Sequence, residues 1–216
     1  MGEQLAFDLA YRTAYGREKF WVAPCNQEAI TWIDRYPDWP THTLLIYGAA
    51  GSGKTHLATL FSNTIVQARD LTQDFKPQFQ KKMVVENLQD LVDEEALLHL
   101  FNFIQEMGGD LLLTSRVIPQ FNLPDLQSRM NMIPKAEIMM PDESVIRAVA
   151  HKAFEDRHIL VDEVVLDYLS THLTRSFSLL QQVVERADKF SLEAGRKITI
   201  PIVKQVIQGL KGDGDG

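Results

Sequence analysis

Gly48-Ala49-Ala50-Gly51-Ser52-Gly53-Lys54-Thr55 matches G-x-x-x-x-G-K-[ST] at every defined position. These residue types at this spacing bind phosphate. Glycines let the backbone curl around an anion with its N–H groups turned inward. Lys54 supplies a cation for the β- and γ-phosphates, and the Thr55 hydroxyl can ligate Mg²⁺. The expected nucleotide contacts run through Ala50, Gly51, Ser52, Gly53, Lys54, Thr55 and His56.

Such a loop works only between a strand and a helix. Leu44-Leu45-Ile46-Tyr47 precedes it as an apolar strand, and His56-Leu57-Ala58-Thr59-Leu60-Phe61 opens a helix whose N-terminal dipole favours anions. A nucleotide site of this kind also needs a carboxylate on a neighbouring strand for the metal, and a group that activates water. Met83-Val84-Val85-Glu86-Asn87 fits the strand, with Glu86 serving Mg²⁺. Asn87 stands where the catalytic carboxylate is expected. An amide can orient water but cannot act as a base, so binding with poor intrinsic turnover is predicted. Leu111-Leu112-Leu113 leads to Thr114-Ser115, hydroxyls at the ligand-binding edge of a parallel sheet. They either sense the γ-phosphate or cap the strand end.

The remaining elements divide the chain. Residues 1–10 read as an extended tail, 11–140 as an α/β nucleotide-binding core, 141–211 as an all-helical part, and 212–216 as a disordered Gly-Asp tail. Asn26 is placed to cap a helix running to about 35, and the helix after the phosphate loop to reach about 68. Residues 69–82 read as loop or weak edge strand, short for the edge strand usual in such folds. Leu97, Leu98, Phe101 and Ile104 share one face of a helix capped by Asp93. A short turn is expected over 124–130 and a last strand at Ile138-Met139-Met140. In the helical part, Asp142 caps the first helix, and Phe177, Leu180, Val184, Ala187 and Phe190 point inward from the third. Gly195 suits that helix's C-terminus, and Pro201 opens the fourth with Ile202, Val203, Val206 and Leu210 inward.

Composition narrows the class. The chain has 216 residues, 45% of them hydrophobic, enough for a packed core. No apolar run approaches the roughly 18 residues of a membrane span, and no secretory leader is visible. Cys25 is the single cysteine, which fits a reducing cytoplasm and rules out an intrachain disulfide. A net charge of −7 argues against direct grip on a duplex.

The order of these signals resembles the Hda family of DnaA-related AAA+ proteins, especially its shorter alphaproteobacterial forms, over about 4–210. Two segments carry the resemblance beyond the phosphate loop: Leu123-Pro124-Asp125-Leu126-Gln127-Ser128-Arg129 and Arg196-Lys197-Ile198-Thr199-Ile200-Pro201-Ile202-Val203-Lys204. It implies an AAA+ parallel-sheet core with a C-terminal four-helix lid. Arg129 matches the arginine finger acting in trans on a neighbour's nucleotide, and Arg175 the lid arginine that reads bound phosphate. Val22 and Asn26, with Phe20 and Trp21, match the adenine-pocket segment. Gln4-Leu5-Ala6-Phe7-Asp8-Leu9 resembles the peptide that docks on the DNA polymerase sliding clamp, with Leu5, Phe7 and Leu9 in an apolar groove and Gln4 making polar contacts.

The implied function is negative regulation of replication initiation in a bacterial cytoplasm. The implied ligands are ADP or ATP with Mg²⁺. The implied partners are the sliding clamp and DnaA, with DNA met only through the clamp, no membrane, and self-association left open. No counterpart of DnaA's helix-turn-helix duplex-binding domain is expected. Two other readings stay open: a self-hydrolysing AAA+ ATPase of the clamp-loader or helicase-loader kind, and a DnaA-like scaffold with an inactive nucleotide site.

Overall fold

The structure, a computed structural model, describes residues 11–14, 18–76, 78–173, 176–194 and 197–212. The chain divides into two compact units near residue 140.

The α/β unit is organised by three apolar strands. β3 (Thr43–Tyr47), β5 (Lys82–Glu86) and β6 (Asp110–Ser115) hold Leu44-Leu45-Ile46, Met83-Val84-Val85 and Leu111-Leu112-Leu113, all buried. Continuous apolar runs of this kind are strands covered on both faces. They sit in a parallel sheet of order β4-β5-β6-β3-β7, with Val84 opposite Leu112 and Leu44 also opposite Leu112. Alternation along each strand splits the core in two. Leu45, Met83, Val85, Leu111 and Leu113 pack with α3 (Glu94–Glu106) and α4 (Pro124–Met132). Leu44, Ile46, Val84 and Leu112 pack with α1 (Gln27–Asp34) and α2 (Lys54–Phe61). A separate two-stranded sheet joins β1 (Tyr11–Ala14) to β2 (Glu18–Trp21).

The helical unit contains α5 (Glu143–Glu155), α6 (Glu163–His172), α7 (Phe177–Ala194) and α8 (Ile200–Gly212). Asp142 Oδ1 accepts from Val145 N at 2.8 Å, capping α5 as expected. Val149, Phe154, Leu166, Leu169, Val184 and Val203 form its interior. Arg147 ties α5 to α6 through Glu163 and, at 2.8 Å, Asp167.

Several sequence expectations need correction. The edge strand is β4 (Ile65–Gln67), upstream of the 69–82 segment. The helix after the phosphate loop stops at Phe61 because Ser62 turns extended, freeing Ile65 and Val66 to pair with Val84 and Val85. The last strand is β7 (Lys135–Glu137), three residues before Ile138-Met139-Met140. Its register on β3 sets its limits, and Met139 is exposed. The turn expected over 124–130 is the longer helix α4. Phe190 is exposed on α7, and on α8 Val203 and Ile207 are buried whereas Ile202, Val206 and Leu210 are half-buried. Gly195 lies outside the described residues.

Candidate functional site

The phosphate loop leaves β3 at the C-terminal edge of the sheet. The chain goes from β3 through α2 to the far edge, and returns after β6 to the other side of β3. That reversal of direction makes the end of β3 a topological switch point, where ligands bind in such sheets. Gly48 donates its N–H to Ser115 O at 3.1 Å. A Cβ there would lie 2.2 Å from Ile138 O, so only glycine fits. Gly53, at φ 104, is the left-handed residue from which α2 starts. The first N–H groups of α2 lack intrahelical acceptors and supply the anion site.

Lys54 is buried. Its ammonium donates to Gly48 O at 2.7 Å, Ala49 O at 2.8 Å and Ser52 Oγ at 3.5 Å. It thus sits over the loop's own oxygens, the place where phosphate oxygens would compete for it. Burial holds its pKa below the usual lysine range. The Arg116 charge acts the same way, and Glu86 opposes both. Ser52 is buried; Ala50, Gly51 and Thr55 are exposed; Gly53 and His56 are half-buried.

Beside the loop, Glu86 ends β5, which runs next to β6 and Thr114. Glu86 is 5% exposed. Its Oε2 accepts from Gln67 Nε2 at 3.2 Å, and its buried Oε1 has no hydrogen-bond partner among the described residues. A buried carboxylate oxygen is costly to leave bare. A divalent cation is the chemistry that would satisfy it, and Mg²⁺ characteristically takes one or two carboxylates plus phosphate oxygens. The residues present therefore fit Mg²⁺ through Glu86 and Thr55. Among the described residues, no group of three or more His, Cys, Asp or Glu could hold a metal ion.

Asn87 takes a left-handed conformation (φ 62), which asparagine tolerates. Its N–H donates to Thr114 Oγ1 at 3.3 Å, its Nδ2 to Gln67 Oε1 at 2.8 Å, and its Oδ1 accepts from Gln89 Nε2 at 3.3 Å. Gln89 Oε1 in turn accepts from Ser115 Oγ at 3.3 Å and Arg116 N at 3.0 Å. Sequence reasoning missed Gln67, Gln89 and Arg116. Gln67 is recognisable only once β4 is placed, because its role comes from pairing with β5.

Val22 is half-buried against the α1 side of the core. Asn26 does not cap α1 with its side chain. Its Oδ1 accepts from Ala23 N and its Nδ2 donates to Trp21 O, both at 2.8 Å, so it folds the turn around Val22. Arg175, Gln4, Leu5, Phe7 and Leu9 lie outside the described residues.

Arg129 stands at the other end of the sheet. With Pro40, His42 and Thr43 it lines a cavity of about 250 Å³. Thr43 is the first residue of β3, whereas Gly48 follows its last. The helix that carries Arg129 is anchored by a residue that the sequence did not single out. Glu94 accepts from Asn122 N at 3.0 Å and Leu123 N at 2.6 Å, fixing the two residues that lead into α4. The Asn122 N–H leads in holding the Glu94 carboxyl below its ordinary pKa. Also missed was Asp110, buried at the N-terminal end of β6. His42 Nδ1 is 2.8 Å from its Oδ1, the Tyr36 hydroxyl donates to its Oδ2 at 3.0 Å, and Lys81 Nζ lies 3.4 Å away.

Comparison with known proteins fits this arrangement. A family described as "Hda, lid domain" matches residues 142–207. An uncharacterized protein of Haemophilus influenzae is 33% identical over 186 residues, covering 75% of this chain and 80% of the relative. The chain belongs to the Hda/DnaA-related family. Curated DnaA initiators match as well, and the chain spans 45% of the Limosilactobacillus reuteri protein and 51% of the Microcystis aeruginosa one, about half of each. Among solved structures, domain III of Thermotoga maritima DnaA aligns with a TM-score of 0.63 at 18% identity, over 88% of this chain and 94% of that one. AMPPCP-bound DnaA from Aquifex aeolicus gives 0.59 at 18% identity, over 82% and 64%. The fold of this Hda/DnaA-related chain is that of an AAA+ module. No helix among its described residues is long and apolar enough to cross a membrane.

Proposed function

We propose that this Hda/DnaA-related protein is a negative regulator of replication initiation, acting in the bacterial cytoplasm on ATP held by DnaA. The observation that carries the reading is the placement of Arg129. It lines a cavity with Thr43, at the opposite end of β3 from the phosphate loop. Five residues of strand put those ends more than about 13 Å apart, so the guanidinium cannot serve its own Lys54–Thr55 site. An arginine so placed suits phosphate on a neighbouring subunit, where it stabilises charge developing on the transferred group.

In this reading residues 11–140 bind adenine nucleotide, ADP or ATP, and 141–211 form the lid with Arg175. Lys54 would turn from the Gly48 and Ala49 carbonyls to the phosphates, and the N–H groups at the start of α2 would donate to phosphate oxygens. Mg²⁺, held by Thr55, Glu86 and phosphate, would neutralise the β- and γ-oxygens. AMPPCP in the Aquifex aeolicus DnaA neighbour supports an adenine ligand. Bound nucleotide sets conformation here and is turned over poorly, because Asn87 offers an amide tied to Gln67 and Gln89 where a base is needed.

The tail brings the protein to its target. Gln4, Leu5, Phe7 and Leu9 dock on the sliding clamp, so DNA is met through the clamp. The test is hydrolysis of DnaA-bound ATP with and without this protein on clamp-loaded DNA. Stimulation is expected, and its absence overturns the reading. Leu5→Ala with Phe7→Ala removes two apolar anchors of about 1.5–3 kcal/mol each, so clamp capture should fall at least about 100-fold while nucleotide binding is kept. Clamp capture at the wild-type level would dismiss the tail. Robust ATP turnover by the purified protein alone would favour a self-hydrolysing ATPase instead.

A further inference from the structure

The Arg129 guanidinium is gripped by two neutral amides. Its Nη2 donates to Asn102 Oδ1 at 2.8 Å and its Nη1 to Gln105 Oε1 at 3.1 Å. Asn102 and Gln105 are three residues apart on α3, so they project side by side toward α4. Arg129 forms no ion pair among the described residues, although Glu106 follows Gln105 on the same helix. Glu106 lies one turn beyond Asn102 on the same face of α3, yet it is exposed and accepts no hydrogen bond from Arg129 among the described residues.

The choice of partner has physical consequences. A carboxylate would bind the guanidinium more strongly than an amide, as a forked ion pair, but it would cancel the charge that a phosphoryl oxygen must feel. Two amide oxygens fix the plane of the group and leave its charge intact. They use two of the five N–H donors, and the others remain free to engage an incoming anion. Ordering the side chain before encounter also removes part of the entropy lost on binding. Arg129 is half-buried, so it is held without being sealed away.

We propose that Asn102 and Gln105 are positioning residues for Arg129, a neutral fork that aims the guanidinium at a phosphoryl group on another subunit without quenching it. This rests on the reading of Arg129 as a finger in trans.

The test is the rate of DnaA–ATP hydrolysis against concentration of the full-length protein on clamp-loaded DNA, for wild type, Arg129→Ala, the double variant Asn102→Ala with Gln105→Ala, and Asn102→Asp. The double alanine variant should lower the maximal stimulated rate about 10- to 100-fold, as misplacement of a catalytic group by about an ångström does. The half-saturating concentration should stay the same. Asn102→Asp keeps shape and acceptor, so it should fold with an unchanged or raised melting temperature. Its maximal rate should still fall, because the charge is now paired. A merely structural role predicts the reverse: an aspartate at least as active as wild type. Wild-type maximal rate from either the double alanine variant or Asn102→Asp overturns the proposal. If wild type stimulates no better than Arg129→Ala, the finger reading fails and takes this proposal with it.

Discussion

The two ends of the central sheet handle buried charge in opposite ways. At the N-terminal end Asp110 is 1% exposed, and both of its oxygens have partners in His42, Tyr36 and Lys81. At the C-terminal end Glu86 is nearly as buried, yet one oxygen rests on a single amide and the other on nothing among the described residues. Left-handed backbone, by contrast, occurs at both ends. Gly48, Gly51, Gly53 and Asn87 have positive φ at the Glu86 end, and His42 and Gly108 at the Asp110 end, with one non-glycine residue at each. An unsatisfied buried group marks a place where a fold gives up stability for a ligand. On the proposed function, the contrast separates an end suited to a nucleotide from an end that is internally complete and turns Arg129 toward a neighbour.

The largest effect that could break this contrast comes from a pair of variants. Arg129→Ala should lower stimulated hydrolysis of DnaA-bound ATP by about 10³-fold or more, with nucleotide affinity unchanged by calorimetry. Lys54→Ala should do the converse at the other end, weakening nucleotide binding about 10- to 100-fold through loss of charged hydrogen bonds worth about 1.5–3 kcal/mol. If Arg129→Ala weakens nucleotide binding as much as Lys54→Ala does, the two ends are not functionally separate.

The carboxylates provide the next test. Asp110→Ala should lower unfolding stability in urea by about 1–2 kcal/mol, since it removes the buried acceptor shared by Tyr36, His42 and Lys81. Glu86→Gln should change stability in the absence of nucleotide by less than about 0.5 kcal/mol, while reducing the gain in nucleotide affinity that Mg²⁺ provides. A large loss of stability from Glu86→Gln would mean that its bare oxygen is satisfied in solution.

The smallest expected effect is a pH slope. The folded-state pKa of Lys54 lies below its unfolded value of 10.5, mainly through burial. Between those two values the unfolded chain binds the extra proton, so this lysine makes stability rise with pH across that window. Lys54→Met lacks the titration. The wild-type protein should therefore gain on the variant as pH approaches 10.5, read from paired urea curves without nucleotide. A constant difference would show that the ammonium is not desolvated.

Much of this was legible in the residues. Runs such as Leu44-Leu45-Ile46 and Leu111-Leu112-Leu113 can hardly be anything but central strands, and Asp93 and Asp142 cap the helices expected of them. Lys135-Ala136-Glu137 carries no strand signal at all, because an edge strand is fixed by the neighbour it pairs with. Ile65-Val66 hid behind a helical pattern that Ser62 interrupts. Around the sites, Lys54 and Glu86 could be found from local motif and strand order. Gln67, Glu94, Asn102 and Asp110 could not, since each draws its role from partners more than 18 residues away in the chain. An isolated polar residue gives no local sign of such a contact.

The outer strands β4 and β7 are only three residues long, while the strands they flank run to five or six. A sheet whose margins are this brief offers little backbone for a foreign strand to join. The apolar interior of β3, β5 and β6 is thereby shielded from accidental ladder growth, even when many copies crowd together. Neighbouring copies or partners must then meet this module through side chains on its helices and loops. Such contacts can be made and released repeatedly, as the proposed action on ATP-bound DnaA would require.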